Sequence, residues 1–338
     1  MSLLITPVND LDGIERFQSV LAASFDADHE GLPADTVAEL VVELGVLQTD
    51  FHVLMWLGEL TGEPIAAGRL SMPVNDNTAT AMIDIHVHPD HRRAGHGLVA
   101  ARYGLDLVAS QGRRIVIGDA WSPLTDDAVG SAAAPAAFAA RLGARPVLKA
   151  VRRVLDLAGL DLGQLDRSRR QAAAGATDYE VVQWVDAAPA ALRDDLAHLS
   201  QLMSTDPPLG DMTWEPEVWD AARWRDAERR SCAKGYSAVG SAVVHLPTGR
   251  AVGYSDIGVS RLLPQVGYQW ATIVESAHRG RRLGMLLKAA NLQLLTSELP
   301  DTRLVNTWNA AVNTHMISVN ETLGFRPVER WTEWQLEL

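Results

Sequence analysis

Val87–Gly97 recurs 187 residues later as Val274–Gly284, and this internal repeat constrains the fold more than any other feature of the chain. Both copies read as an apolar strand, a short basic loop containing glycine, and a helix. Trp121 and Trp308 keep the same offset at the end of the next apolar run. Leu142-Gly143-Ala144-Arg145-Pro146-Val147 then matches Leu323-Gly324-Phe325-Arg326-Pro327-Val328 at an offset of 181. A repeat of this length means that one supersecondary plan is built twice. The expected division is a first domain over 1–157, a linker over 158–178 and a second domain over 179–338.

Composition narrows the class. With 47% apolar residues each half can bury a core of its own. Cys232 is the single cysteine, so no intrachain disulfide forms, and Met1 to Asp12 lacks the basic start and apolar run of a secretory signal. No run is long and apolar enough to span a bilayer. A cytoplasmic protein is expected, with no membrane partner. The net charge of −12 argues against nucleic acid, whose phosphates require a broad basic face. It is compatible with a cationic ligand. Monomer and homodimer both remain open.

Periodicity sets the element order. Leu3 to Val8 reads as a strand, Asp10 to Phe25 as a helix, Phe51 to Leu57 with Pro64 to Met72 as a hairpin, and Ala79 to Val87 as the strand entering the loop. A helix from Leu98, a strand from Arg114, a helix from Pro135 and a strand-rich stretch from Arg145 to Leu157 follow. The second half repeats this order and adds helices over Pro189 to Met203 and Glu215 to Lys234. Its last strand region is Arg326 to Leu338. Ala158 to Asp178, rich in Ala, Gly, Asp and Arg, reads as a solvated linker or short helix.

A helix N-terminus offers unpaired backbone N–H groups and a partial positive charge, so a loop there can hold phosphate. Glycine permits close approach and positive φ; arginine adds charge. The first copy supplies Val87, Arg92, Arg93, Ala94, Gly95, His96 and Gly97. The second supplies Val274, Arg279, Gly280, Arg281, Arg282, Leu283, Gly284 and Met285. The pattern Arg-x-x-Gly-x-Gly resembles the acyl-CoA loop of the GCN5-related N-acetyltransferase (GNAT) superfamily. The second copy departs from it at Arg282, where the middle glycine is expected.

The resemblance covers both halves, since Asn313 to Phe325 is similar to a later family motif in which an Asn begins a helix ending in Leu-Gly-Phe. It implies an α/β (α+β) fold of two tandem GNAT domains, each a mixed bent sheet flanked by helices. It also implies acetyl-CoA or another acyl-CoA as cosubstrate, no metal, and N-acyl transfer to a primary amine of a small molecule. Asn309 and Asn313 are the candidate holders of the pantetheine arm. Where the family often has a Tyr that protonates the leaving thiolate, this chain has Ala139 and Asn320. Because a lysine-like amine is almost wholly protonated at pH 7, a base is useful. Glu275, beside the second loop, is the candidate, and with Asn313 and Leu-Gly-Phe it places the expected chemistry in the second domain.

Two other readings compete. A non-catalytic acyl-CoA-binding or regulatory module fits the missing Tyr and the irregular second loop. His86-x-His88-x-Asp90-His91 matches the pattern of metallo-β-lactamase-like zinc hydrolases; within a GNAT site, His86 and His88 could instead act as acid/base groups. Trp214, Trp219 and Trp224 recur at near-helical spacing, and pocket lining and core packing are both open to them.

Overall fold

The computed structural model describes residues 3–45, 49–124 and 134–338. Backbone contacts divide the chain into two compact units. The first comprises Met1–Ala150, Leu209–Glu215 and Glu329–Leu338; the second comprises Val151–Pro208 and Pro216–Val328.

In the first unit β1 (Leu4–Pro7) leads into α1 (Leu11–Asp28), where the Asp10 carboxylate caps the helix by accepting from the Gly13 N–H. Ile14, Phe17, Val20 and Leu21, one helical face, bury themselves against Val53, Met55 and Leu57 of β2 (Phe51–Leu60). Helix α2 (Val37–Leu44) starts with a capping box between Thr36 and Glu39. β3 (Glu63–Pro73), β4 (Thr80–Val87), α3 (His96–Ser110), β5 (Ile115–Pro123) and α4 (Ala134–Arg141) complete the first copy, and β6 (Arg145–Asp156) follows.

The second unit repeats the plan. Its elements are α5 (Leu162–Ala174), β7 (Tyr179–Val185), α6 (Arg193–Met203), α7 (Ala221–Ala233), β8 (Tyr236–His245), β9 (Arg250–Ser260), β10 (Val266–Val274), α8 (Leu283–Glu298), β11 (Leu304–Ala310) and α9 (Thr314–Thr322). β12 (Arg326–Glu337) is last. Among the described residues no helix is long and apolar enough to cross a membrane.

Sequence periodicity assigns β12 to the second copy, yet its residues from Glu329 onward lie in the first unit. There they pair antiparallel with β5, Trp331 opposite Trp121 and Glu333 opposite Asp119. In turn the end of β6 lies in the second unit, where Leu155 joins the core and Arg152 Nη1 donates to Asn306 Oδ1 at 2.6 Å. Alternation of apolar residues dictates which face of a strand is buried; it does not dictate which edge the strand docks on. The stretch read as a solvated linker or short helix carries the helix α5. Leu165 and Ala172, two turns apart on α5, are buried, and the helix belongs to the second unit.

The strands of each unit part at the same place. β4 and β5 run parallel and pair only over Thr80–Met82 and Ile115–Ile117; β10 and β11 pair only over Val266–Tyr268 and Leu304–Asn306. Beyond those pairs the strands part, opening a wedge toward the loop.

Close packing in the first unit makes one stability prediction. The indole of Trp56, fully buried, covers Gly68 on the neighbouring strand, and a Cβ built there would lie 2.1 Å from the ring. Gly68→Ala is expected to cost about 1–3 kcal/mol through displacement of Trp56. Urea denaturation measures it, and an unchanged midpoint would show that the ring moves freely.

Candidate functional site

The two loops share one backbone conformation with the glycines exchanged. Arg93 and Gly95 have φ of 66° and 87°; their counterparts Gly280 and Arg282 have 81° and 58°. Arg282 therefore takes the left-handed conformation of the missing glycine, at roughly 1–2 kcal/mol of local strain. Gly95 and Arg282 stand at the N-caps of α3 and α8 with no side-chain cap, leaving the first-turn N–H groups available.

The first arginine of each loop acts within the loop. Arg92 Nε donates to the Val87 carbonyl at 3.0 Å while its other nitrogens pair with Asp28; Arg279 Nε donates to the Val274 carbonyl at 2.9 Å and pairs with Asp206. Their charges are thus held by carboxylates of the same unit.

A cleft of about 890 Å³ opens in the first unit. Its lining includes Arg92, Arg93, Gly95, His96 and Gly97 of the loop, Ala101 and Leu105 of α3, Phe138 of α4, and Trp334 and Leu336 of β12. It continues to a second wall formed by Phe25 and His29 of α1, Arg69, Asp84 and His86 of β3 and β4, Asp119 and Trp121 of β5, and Trp331 of β12. Strand alternation explains the two chambers. Ile83, Ile85 and Gly118 point to the α3 side, while Asp84, His86, Asp119 and Trp121 point to the α1 side, so the cleft runs through the wedge.

The α1 side is acidic and aromatic. Asp119 and Glu333 are directly opposite across β5 and β12 and therefore share a face. Asp119 keeps surface toward the cleft but is ringed by protein; burial, with Glu333 and Asp84 nearby, pushes its carboxyl up to about 8. Burial likewise raises Glu333. Arg69 is held by three carboxylates, Asp35 at 2.7 Å, Glu43 at 2.9 Å and Asp84 at 3.0 Å. His29 stacks on Trp331 at 5.5 Å, lies 5.0 Å from Trp121, and contacts Glu329 through Nδ1 at 3.1 Å.

Burial lowers His86 to about 4, leaving it neutral at pH 7, packed on Phe25 and 3.3 Å from Ser24 Oγ. His88 instead accepts from the Asp90 N–H and faces His91. The zinc-like pattern does not converge on a point. Among the described residues no group of three or more His, Cys, Asp or Glu is disposed to hold a metal ion.

In the second unit the same wedge is filled by its own side chains. Lys288, which stands at the position of Ala101, is 1% exposed, lies over the Phe325 ring, and donates to Gln269 Oε1 at 2.9 Å. Burial lowers its amine to about 7. Asn306 replaces Asp119 and is buried against Arg152, which is fully buried as well. Ala271 and Ile273 stand where the first copy has Asp84 and His86.

The residues singled out in the second copy are placed as follows. Glu275, half-buried, lies 3.4 Å from His198 Nε2, and Gly284 in the first turn of α8 has open space at its Cβ position. Leu283 is core, Met285 packs against the core, and Arg281 bonds to the Ala277 and Arg279 carbonyls. Asn313 caps α9 by accepting from the Met316 N–H at 3.3 Å. Asn320 is fully buried and donates to Asn309 Oδ1 at 2.6 Å. Trp224 packs in the core against Tyr254. In the first copy Ala94 is exposed on the loop.

Residues 17–121 match the model of the acetyltransferase (GNAT) family. Among solved structures, a tandem GNAT protein from the clavulanic acid biosynthesis pathway is 26% identical, with 99% of this chain and 98% of that chain covered at a TM-score of 0.81. A GCN5-related N-acetyltransferase from Sphaerobacter thermophilus, 14% identical, shares the fold at a TM-score of 0.66 over 99% of this chain and 95% of that one. No curated protein sequence matches. The chain has the fold of a tandem GNAT protein. Its first copy is the part that the family model recognises.

Asp119, Glu333, Trp331 and Trp334 escaped sequence reasoning because β12 was read as part of the other copy. One signal was present: Lys288 interrupts the apolar run Met285-Leu286-Leu287-Lys288-Ala289-Ala290 where the first copy has Ala101.

Proposed function

We propose that the protein transfers an acyl group, acetyl in the simplest case, from acyl-CoA to a primary amine of a small molecule, and that the first unit performs the chemistry. The observation that carries this reading is the cleft through the wedge between β4 and β5, with uncapped helix amides at one mouth and a carboxylate pair at the other. The sequence favoured the second copy for its Asn313 and Glu275. The filled wedge at Lys288 and Arg152, and the pairing of Glu275 with His198, favour the first.

Acyl-CoA would supply an electrophilic thioester carbon, with CoA leaving as its thiol. The N–H groups at the start of α3 would hold its pyrophosphate, and Gly97 lets that group approach the helix. Ile83, Leu105, Phe138 and Leu336 give the arm an apolar channel. Asp119, once ionised, takes the proton of the incoming ammonium. Burial, with Glu333 and Asp84 nearby, keeps its basicity high enough for the task. Ala139 offers no proton for the thiolate, so this site lacks the tyrosine acid that the family often uses.

A thiol-release assay with acetyl-CoA over a panel of primary amines tests the proposal, with turnover expected. Tight CoA binding without turnover on any amine would favour the rival reading, a binding or regulatory module. The filled second wedge adds a prediction of its own. Calorimetric titration with CoA is expected to give one site per chain, and two equal sites would return the second unit to consideration.

A further inference from the structure

The identity of the acceptor is inscribed in the charge pattern of the α1 wall, and this inference rests on the reading of that wall as the acceptor chamber. The register places two cross-strand pairs in succession on one face, Trp121 opposite Trp331 and Asp119 opposite Glu333. His29 packs on both tryptophans. A protonated amine is attracted by aromatic faces and by carboxylates, and here the two adjoin.

The cations of this wall are already engaged. Arg69 is ringed by Asp35, Glu43 and Asp84, and Arg92 is paired with Asp28. His86 is desolvated and neutral at pH 7, and His29 lies against the buried Glu329. Asp119, protonated in the free protein, gives up its proton as an ammonium binds, so a carboxylate carried beside the reacting amine would meet Asp84, the ionised Asp119 and Glu333. To be received it would have to draw Arg69 or Arg92 from an existing ion pair, leaving a carboxylate of the protein unpaired.

We propose that the acceptor is a primary amine with an aromatic or aliphatic body and no carboxylate, the class of compound formed when an amino acid loses its α-carboxyl group. The body lies against Trp121 and Trp331, and the ammonium lies at Asp119 and Glu333. Amino acids, which share the body and the amine, are rejected by their charge.

Matched pairs test this directly: tyramine against tyrosine and cadaverine against lysine, with the full-length protein and acetyl-CoA in a thiol-release assay. The expected kcat/KM is at least about 100-fold higher for the decarboxylated member of each pair, since direct like-charge opposition is costly. Glu333→Gln is expected to narrow that ratio about tenfold by removing one opposing charge. Equal rates, or preference for the amino acid, would overturn the proposal. Calorimetric titration of the same pairs onto the CoA-loaded protein reads the preference without turnover. Amine-selective binding with no thiol release would leave this inference standing while removing the acyltransfer reading. Absence of selectivity, or of amine binding, would remove the inference even if some other acceptor were acetylated.

Discussion

Gly97→Glu is expected to lower kcat/KM for acetyl transfer by about 10³-fold or more, with Gly284→Glu leaving it within about twofold. Gly97 lies in the first turn of α3 and lines the cleft; a Cβ there would come within 3.3 Å of Phe138 and 3.4 Å of Val87. A glutamate therefore both crowds the channel and sets a carboxylate against the site where phosphate would bind, reversing the helix-terminus field. A loss of about 4 kcal/mol corresponds to the stated factor. Gly284 has nothing within 4 Å of its Cβ position, so the change in the second copy is tolerated sterically. Steady-state kinetics with circular dichroism as the folding control measures both. The milder Gly97→Ala separates crowding from charge, because it adds the contact and no carboxylate.

The second large effect is expected at Asp119. Asp119→Asn removes the proposed proton acceptor while keeping its shape, and kcat/KM should fall by about 10²- to 10⁴-fold. The pH dependence has a defined sign. Burial, then Glu333 and Asp84, lift the Asp119 carboxyl from 3.8 to about 8, so the free protein carries it mostly protonated at pH 7. The rate should rise with pH through that region as Asp119 ionises, and the Asn variant should lose this limb.

Stability moves in the opposite direction. Between about 4 and 8 the folded state binds more protons at this site than the unfolded chain does, so stability declines as pH rises across that window. The Asn variant should lose part of this decline. A Tm at pH 8.5 equal to or above that of wild type, together with lost activity, would mark Asp119 as functional. A lower Tm at every pH would mark it as structural.

Much of the architecture was legible in the repeat. The 187-residue offset gave two copies, the strand-loop-helix at Val87–Gly97 and Val274–Gly284, and through the GNAT resemblance an expected cosubstrate class. Local rules sufficed there, because glycines, caps and periodicity act within a few residues. The copy proposed to be active was not legible by those rules. Arg282 looked like a defect in the second loop, yet it adopts the same left-handed backbone as Gly95, so the loops do not distinguish the copies. What distinguishes them is long-range. Ala101 leaves room in one wedge and Lys288 fills the other, and a strand from the chain's end brings Glu333 opposite Asp119. Docking of β12 on β5 is a tertiary choice that no alternation pattern encodes.

Acyl-CoA is expected to occupy the first unit's wedge, with Lys288 and its neighbours excluding it from the second. A crystal structure of the wild-type protein with acetyl-CoA tests this most directly. The account predicts one molecule, its pyrophosphate on the amides that begin α3 and its arm between β4 and β5 with the acetyl group facing Asp119. Acetyl-CoA bound between β10 and β11, with Lys288 displaced and the first cleft empty, would contradict it.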